Sequence, residues 1–363
     1  MMDKKPGPWR ITFDTNPDDC NLRCIMCEEH SIYSQCQIKR KAEGRSRRRM
    51  DIDLMRKVLE ESKGSPLKEI IPSTMGEPLL YRHFEKIIDL CHEFNVKMNL
   101  TTNGTFPKFG ATEWAKKIVP IGSDVKISWN GATKETSEKI MIGSNFEQRV
   151  QNVRDFIQVR NEIGAQGRNS CRVTFQLTFI EIGIEEIPEV VKLAAALGVN
   201  RVKGHHLWIF TKEMENQSMR RSKEVIQRWN QIVAKAHVAA ENFRLPNGEK
   251  VLLENIYALD ETAEKELVPQ GVCPFLGKEA WVSAEGLFGP CCAPDKERKK
   301  LGNFGSLHHQ SIQTVWQSDA YQKLQKNYLN YDVCQSCNMR KKPEELYENG
   351  SEVELDDLPS LSR

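Results

Sequence analysis

Three cysteines near the start of the chain have the spacing of a metal-binding loop. Cys20, Cys24 and Cys27 fall close together and directly follow a short extended run, residues 10–15. Thiolates are soft ligands that suit zinc or iron–sulfur clusters. A four-iron cluster held by three thiolates keeps one iron open for an outside ligand, whereas zinc needs a fourth ligand, for which His30 is a candidate. The residues by themselves leave both metals open.

A second group of cysteines lies in the C-terminal part of the chain. Cys273 is followed by Gly286 and Cys291, and then by Cys334 and Cys337. Four thiolates suit a tetrahedral zinc ion or a closed four-iron cluster. The chain has eleven cysteines, an odd number that fits a disulfide framework poorly. Their grouping indicates metal ligation in a reducing compartment.

The composition excludes several other classes of protein. The chain has 363 residues, of which 39% are hydrophobic, and a formal net charge of +2. No run approaches the ~20 apolar residues of a membrane-spanning helix, and residues 1–10 lack the apolar core of a secretory signal. A net charge near zero gives no global field for a nucleic acid or a membrane surface. We therefore predict a cytoplasmic protein that has neither as a partner.

Strand-like and helix-like runs alternate along the segment that must position the first cysteines. Apolar residues with helical periodicity follow the second, fourth and fifth strand-like runs. This alternation predicts a parallel sheet with right-handed crossovers, and six units make an α/β fold, a partial (β/α)6 TIM-like barrel. Chemistry in such folds sits at the carboxyl ends of the strands, where His205 and His206 end the last one. The predicted strands span residues 10–15, 68–73, 97–102, 124–129, 172–179 and 201–210.

The first cysteine group resembles the signature of a known family. The Cys-x3-Cys-x2-Cys spacing of Cys20, Cys24 and Cys27, directly after a first strand, is similar to that of the radical S-adenosylmethionine (SAM) superfamily. The resemblance implies that the three thiolates hold a [4Fe-4S] cluster whose open iron binds SAM. It also implies reductive cleavage of SAM to a 5′-deoxyadenosyl radical, which abstracts a hydrogen atom from a substrate C–H bond.

The turn after the second strand resembles the Gly-Gly-Glu element of the same family, which binds the amino group of SAM. Gly76 has no side chain to obstruct a ligand, and Glu77 supplies a carboxylate for an ammonium group. The residues of this predicted SAM-binding turn are Met75, Gly76, Glu77 and Pro78.

Further SAM contacts are implied at the ends of later strands. Thr102 and Asn103 resemble the strand end that follows in these enzymes. Ser128 and Asn130 align with the family's Ser-x-Asp-Gly segment near the ribose of SAM, although Asn130 stands where an aspartate is usual. Gln176 is expected to point into the barrel, near adenosine or substrate.

The second cysteine group resembles the SPASM or twitch module of these enzymes. By this resemblance an auxiliary [4Fe-4S] cluster is held by Cys273, Cys291, Cys334 and Cys337. The neighbouring Cys292 is a candidate donor of a hydrogen atom to a substrate radical, or a packed spectator thiol. The implied domains are the barrel at 1–215, a helical connector at 216–270, the auxiliary module at 271–342 and a mobile acidic tail at 343–363.

The resemblance leaves the substrate open. We predict peptide maturation, such as epimerisation, crosslinking or oxidation, with a small molecule such as an aminosugar or amino acid as the alternative substrate. A zinc-stabilised binding module without catalysis is the alternative from another class. A flavodoxin- or ferredoxin-type protein is the expected electron donor. The basic segment at residues 39–49 is either a solvated loop or a docking surface for an acidic peptide, a phosphate or that donor.

Overall fold

The computed structural model of the protein describes residues 5–73, 75–169, 171–261, 271–337 and 339–341, and strands alternate with helices along most of this part. The strands are β1 (Arg10–Phe13), β2 (Glu69–Ile71), β3 (Lys97–Thr102), β4 (Gly122–Ser128), β5 (Arg172–Phe179), β6 (Arg201–His206), β7 (Leu252–Glu254), β8 (Glu279–Val282) and β9 (Phe288–Gly289). The α-helices are α1 (Cys36–Ala42), α2 (Ile52–Glu61), α3 (Phe84–Phe94), α4 (Gly110–Ile118), α5 (Lys134–Ile140), α6 (Phe146–Ala165), α7 (Ile187–Leu197), α8 (Lys223–Asn242), α9 (Asp295–Arg298), α10 (Ile312–Trp316), α11 (Asp319–Asn327) and α12 (Asp332–Gln335).

The nine described strands form one open sheet in the order β7-β6-β5-β4-β3-β2-β1-β8-β9. Neighbouring strands run parallel except for β8 and β9, which are antiparallel. The first six strands follow one another in chain order with helices in the connections, which confirms the predicted partial barrel. Two further parallel strands extend the sheet, because β7 pairs with β6 and β8 pairs with β1.

The two faces of the sheet differ in polarity because side chains alternate along each strand. The outer face packs against the helices and carries fully buried apolar residues such as Ile11, Val125 and Phe175. The concave face, here called the lumen, carries polar and charged side chains. Several of these are only half-buried, so solvent reaches them; they are Thr101, Lys126, Ser128, Gln176, Thr178, Lys203 and His205.

Helical stripes predicted from the sequence bury their apolar side chains against the sheet. In α7, Ile187 and Val190 are buried, and Gly198 caps the C-terminal end of the helix with a φ of +84° that favours glycine. The predicted polar connector contains α8, whose buried Trp229 packs against Phe179 of β5. One apolar face therefore attaches the connector to the barrel.

The C-terminal cysteine module shares the sheet of the barrel. Its strand β8 pairs with β1 in the register Arg10↔Glu279, so the first and last parts of the chain lie side by side. The boundaries at 215, 270 and 342 stay predictions, and the acidic tail at 343–363 lies outside the described residues. No described helix combines the length and the apolar character needed to span a bilayer.

Candidate cluster and cofactor site

The cysteine loop (residues 20–27) follows β1 after the connecting residues 14–19, and backbone N–H groups approach two of its sulfurs. Leu22 N lies 3.4 Å from Cys20 Sγ, and His30 N lies 3.4 Å from Cys27 Sγ. N–H donors at this position stabilise the thiolate, which is the form that binds metal. The loop is therefore built to present sulfur ligands.

Apolar side chains surround this loop. Cys20 and Cys24 pack against a small cluster of residues, which comprises Leu22, Ile25, Ile140, Met141, Ile180, Leu207 and Met214. Burial raises the pKa of Cys20 to about 11 and also raises the pKa of Cys24 and of Cys27. Buried thiols lose their protons only where a cation compensates the charge. The irons of a cluster supply that charge, so these residues fit the group.

The position of His30 bears on the choice between zinc and a cluster at the first cysteine group. A tetrahedral zinc ion would need a fourth ligand beside the three thiolates, whereas a four-iron cluster takes its thiolates on separate irons. His30, the candidate fourth zinc ligand, instead has its Nε2 2.8 Å from the carbonyl oxygen of Pro17.

Glu77 joins the turn after β2 to the end of β3. Its carboxylate is fully buried and accepts hydrogen bonds from Leu79 N (3.1 Å), Thr102 Oγ1 (2.8 Å) and Asn103 N (2.7 Å). Burial raises the pKa of Glu77 to about 7, and the three donors oppose that rise. The structure thus gives Glu77 a positioning role, and its contact with the SAM ammonium stays a prediction.

Gly76 brings the segment before Cys20 against the same turn. Its φ is +79°, and a Cβ there would collide with the carbonyl oxygens of Asn16 and Asp19. Glu77 N donates to Asp19 O (2.8 Å), and Asn16 Nδ2 donates to Glu77 O (2.9 Å). The chain's own backbone therefore requires the glycine, and its predicted role in making room for a ligand stays a prediction.

We expect Glu77→Ala to lower the free energy of unfolding by about 3 kcal/mol, because it leaves two buried N–H groups and a hydroxyl without an acceptor. The same substitution loosens the strand ends that Glu77 joins and removes any contact of Glu77 with the SAM ammonium. We therefore also expect SAM binding to weaken by about ten- to a hundredfold. Urea unfolding and calorimetric titration with SAM measure the two effects.

The control is Glu93→Ala, which removes an exposed ion pair with Arg56. Such pairs contribute at most about 1 kcal/mol. An unchanged unfolding midpoint in Glu77→Ala would contradict its role in joining the strands. An unchanged affinity would remove Glu77 from the SAM site.

Arg149 of α6 is a site residue that the sequence analysis missed. Its guanidinium is buried, and it donates through Nε to Asn103 O (3.0 Å) and through Nη2 to Ser128 O. It also lies over the ring of Trp129, 4.4 Å from the centroid. Arg149 thereby holds together the two strand ends predicted to contact SAM. The sequence shows only an arginine inside a helical stripe, which is also how a surface arginine appears.

Asn103 and Asn130 both make contacts that fix the strand ends. Asn103 Nδ2 donates to Asn21 Oδ1 (2.8 Å) in the cysteine loop and lies 4.0 Å from Cys20 Sγ. Asn130 Oδ1 accepts a hydrogen bond from Thr178 N (3.1 Å), which ties the end of β4 to β5. The structure therefore places Asn103 beside the cysteines of the candidate cluster. The side-chain oxygen of Asn130 is occupied by a hydrogen bond within the sheet.

The remaining predicted contacts face the lumen. Ser128 and Gln176 are half-buried there, and Gln176 Nε2 lies 3.4 Å from His205 Nδ1. His206 points to the outer face, where its ring lies 5.3 Å from that of Phe179 and 5.0 Å from that of Trp229. Of the two histidines of β6, His205 faces the lumen, and its contact with a substrate stays a prediction.

A short antiparallel bridge assembles the second cysteine group. Val272 and Lys341 exchange backbone hydrogen bonds of 2.9 and 3.1 Å, which brings together the segments of Cys273 and Cys337. Burial, Cys273 and Cys337 raise the pKa of Cys334 to about 12, so these thiols lie within electrostatic reach of one another. The positive charge of cluster iron would offset the cost of ionising these buried thiols, as at the first cysteine group. The thiols that fit the auxiliary cluster are Cys273, Cys291, Cys334 and Cys337.

Cys292 lies next to this second group. It is half-buried, and burial together with the neighbouring thiols Cys291, Cys337 and Cys273 raises its pKa well above the usual range. Its role as a hydrogen-atom donor stays a prediction.

Ion pairs fasten the predicted basic segment (residues 39–49) to the chain itself. Arg48 binds Asp18 (2.7 Å) just before the cysteine loop and approaches Asp295 of α9 (3.6 Å). The arginines on either side of Arg48 both pair with Asp19. The segment therefore links the cysteine loop to the C-terminal module. These arginines are engaged within the chain, and the choice between a solvated loop and a docking surface for the segment stays open.

Comparisons with known proteins match this arrangement. A family model described as the radical SAM superfamily matches residues 17–194, and one described as the SPASM iron–sulfur cluster-binding domain matches residues 273–338. A search of curated proteins gave no match.

Solved structures share the fold at low sequence identity. Streptococcus suis SuiB bound to precursor peptide SuiA is 14% identical, with a TM-score of 0.61 over 92% of this chain and 70% of that one. Native anSMEcpe with bound AdoMet is 16% identical, with a TM-score of 0.62 over 91% and 88%. The structure of native anSMEcpe with bound AdoMet and Cp18Cys peptide is 15% identical, with a TM-score of 0.61 over 91% of this chain and 88% of that one. At these identities the likeness shows the fold alone.

Each matched family segment contains one of the two cysteine groups. The cofactors are accordingly SAM and two [4Fe-4S] clusters, one that binds SAM and one auxiliary cluster. The chain is an enzyme that belongs to the radical SAM superfamily and carries a C-terminal SPASM iron–sulfur domain.

Proposed function

We propose that the protein modifies a peptide by abstracting a hydrogen atom from one of its C–H bonds. When bound, the first cluster and SAM supply the 5′-deoxyadenosyl radical that abstracts the atom. The observation that carries the proposal is the set of half-buried polar side chains on the lumen face of the sheet, which can form hydrogen bonds with an extended substrate. The structures of SuiB with SuiA and of anSMEcpe with Cp18Cys peptide support a peptide substrate.

The proposed tasks of the chain are ligation, positioning and exclusion of water. We assign Cys20, Cys24 and Cys27 to the SAM-binding cluster and the four C-terminal cysteines to the auxiliary cluster. Glu77 and Arg149 hold the strand ends at which SAM binds. The apolar residues around the cysteine loop keep water from the reacting region, and a fixed geometry brings the C–H bond close to the radical.

The test is anaerobic reconstitution, followed by incubation with SAM, a reductant and candidate peptides. Short precursor-like peptides encoded beside the gene are the first candidates. We expect visible cluster absorption, slow SAM cleavage without peptide, and faster 5′-deoxyadenosine formation with a mass change in the correct peptide. Stimulation by amino acids or aminosugars and by no peptide would move the proposal to a small molecule. A colourless zinc protein would contradict radical chemistry.

We also propose that an acidic flavodoxin- or ferredoxin-type protein supplies the electron at the surface that follows Cys27. Ile32, Tyr33 and Ile38 are exposed there, beside the exposed Lys39 and Lys41 of α1. Apolar residues within a rim of positive charge suit an acidic partner, because complementary charge steers association.

We expect Lys39→Glu combined with Lys41→Glu to raise the KM for such a donor about three- to tenfold, because the rim then repels it. The effect should shrink at high salt. The rate with a chemical reductant should stay unchanged, since it needs no docking. Lys116→Glu with Lys117→Glu, on the exposed side of α4, is the matched control. An unaltered KM would exclude this surface.

A further inference from the structure

Charged side chains on the lumen face of the sheet, here called the floor of the lumen, pair across neighbouring strands. Four carboxylates there each have at least one cation within ion-pair distance. Residues of opposite charge thereby neutralise one another in a region that is partly shielded from water. The pairs are Arg10 with Glu69 and Glu279, Arg172 and Arg201 with Asp124, and Arg201 and Lys203 with Glu254.

Lys126 of β4 departs from this pattern. In the strand register it lies between Thr101 of β3 and Thr174 of β5, neither of which carries charge. Among the described residues, no carboxylate oxygen comes within 4.0 Å of its Nζ. Burial and the nearby Lys203 lower its pKa to about 7, whereas Asp124 acts in the opposite direction. The floor thus holds a half-buried amine without a paired counter-charge.

An amine in this setting attracts an anion. A carboxylate beside Nζ would supply the missing counter-charge, and partial shielding from water strengthens such a contact. A single lysine is a point charge that suits a monoanion, whereas phosphate groups are commonly held by Arg forks. In the described part of the chain, the paired cations Arg10, Arg172, Arg201 and Lys203 are engaged by the chain's own carboxylates, whereas Lys126 is left for a ligand.

We propose that Lys126 binds the carboxylate of an Asp or Glu side chain of the substrate, so that the lumen selects an acidic residue at or beside the modified position. The inference rests on the proposed peptide substrate and adds that this peptide carries an acidic residue at or beside the modified position. Lys126 precedes Ser128 by two residues on the same face of β4, one step below the strand end proposed to contact SAM. A side chain that reaches Lys126 therefore brings its backbone close to the reacting region.

The test compares the retention of peptide pools by the reconstituted holoenzyme with SAM and without reductant. Each pool contains N-acetylated, C-amidated heptapeptides with a central Glu, Gln, Lys or phosphoserine and random flanks that lack Asp and Glu. We expect the wild type to retain the Glu pool about tenfold better than the Gln pool. Lys126→Met should retain the two equally, Lys126→Arg should keep the preference, and Lys126→Glu should favour the Lys pool.

Lys235→Met, at an exposed position of α8, is the matched control and should behave as the wild type. Circular dichroism and cluster absorption that are unchanged in Lys126→Met separate lost recognition from misfolding. Equal retention of the Glu and Gln pools by the wild type, or a preference that survives Lys126→Met, would overturn the inference and leave a peptide substrate intact. A stronger preference for phosphoserine would overturn the carboxylate assignment. Retention of no pool, with normal SAM cleavage, would overturn both this inference and the peptide substrate.

Discussion

Replacing Cys20, Cys24 and Cys27 together by Ala is expected to lower the rate of SAM cleavage by at least about a thousandfold, or ~4 kcal/mol of transition-state stabilisation. The loop then offers no sulfur ligand beside Asn103, so no cluster forms there. The fold should persist, because the turn that contains Glu77 and the apolar residues around the loop remain. The measurement is 5′-deoxyadenosine formed from SAM under reductant. Iron content should fall by about half, since the second cysteine group is unchanged.

Cys36→Ala is the matched control for this triple variant. Cys36 is an exposed free cysteine at the start of α1, close to the cysteine loop, and it has no assigned role. Its loss should leave both iron content and SAM cleavage as in the wild type. Continued formation of 5′-deoxyadenosine by the triple variant would show that the catalytic cluster has been assigned to the wrong residues.

Cys334→Ala is expected to stop the formation of modified peptide, whereas the cleavage of SAM to 5′-deoxyadenosine is expected to continue. The second cysteine group is assembled by the bridge between Val272 and Lys341, whereas the cysteine loop is held by the turn after β2 and the residues around Ile140. Loss of one thiol at the auxiliary site should therefore spare the first cluster. Peptide mass and 5′-deoxyadenosine, measured in the same reaction, give the ratio of product to cleaved SAM.

Ser336→Ala is the control for the auxiliary site, because Ser336 is exposed and lies between Cys334 and Cys337 on the same turn. It should keep the wild-type ratio. A wild-type yield of modified peptide from Cys334→Ala would remove the auxiliary cluster from the reaction. Loss of SAM cleavage as well would show that the two sites depend on one another, as the contact between Arg48 and Asp295 allows.

Local patterns in the sequence were enough to predict the barrel and to group the cysteines. The predicted bounds of the strands at residues 97–102 and 172–179 agree with β3 and β5, and the helical periodicity predicted after the fourth run corresponds to α6 (Phe146–Ala165). Periodicity reports burial within one element, so it succeeds where each strand is followed by its own helix. It gave no sign of β7 or β8, because these short strands pair with residues far away in the chain.

Partners distant in sequence explain what the sequence analysis missed at the site. The sequence predicts Glu77 only as a carboxylate for an ammonium group, whereas the structure buries it and has Thr102 and Asn103, at the end of β3, donate hydrogen bonds to it. Arg149 reads as a helical surface residue, yet its guanidinium reaches two strand ends. The sequence presents the segment around Arg48 as either a solvated loop or a docking surface, and it gives no sign that Asp18 and Asp19 pair with these arginines.

The sequence by itself determined the chemistry that the chain can hold, because soft ligands at fixed spacing need no tertiary information to be identified. Only the tertiary structure decided which charged groups are already satisfied and which are left for a ligand. Ion pairs and buried hydrogen bonds join residues that the chain separates widely, and their energy depends on distance and burial. For this reason Lys126, unremarkable in the sequence, becomes a candidate substrate contact once its neighbours on the floor of the lumen are known.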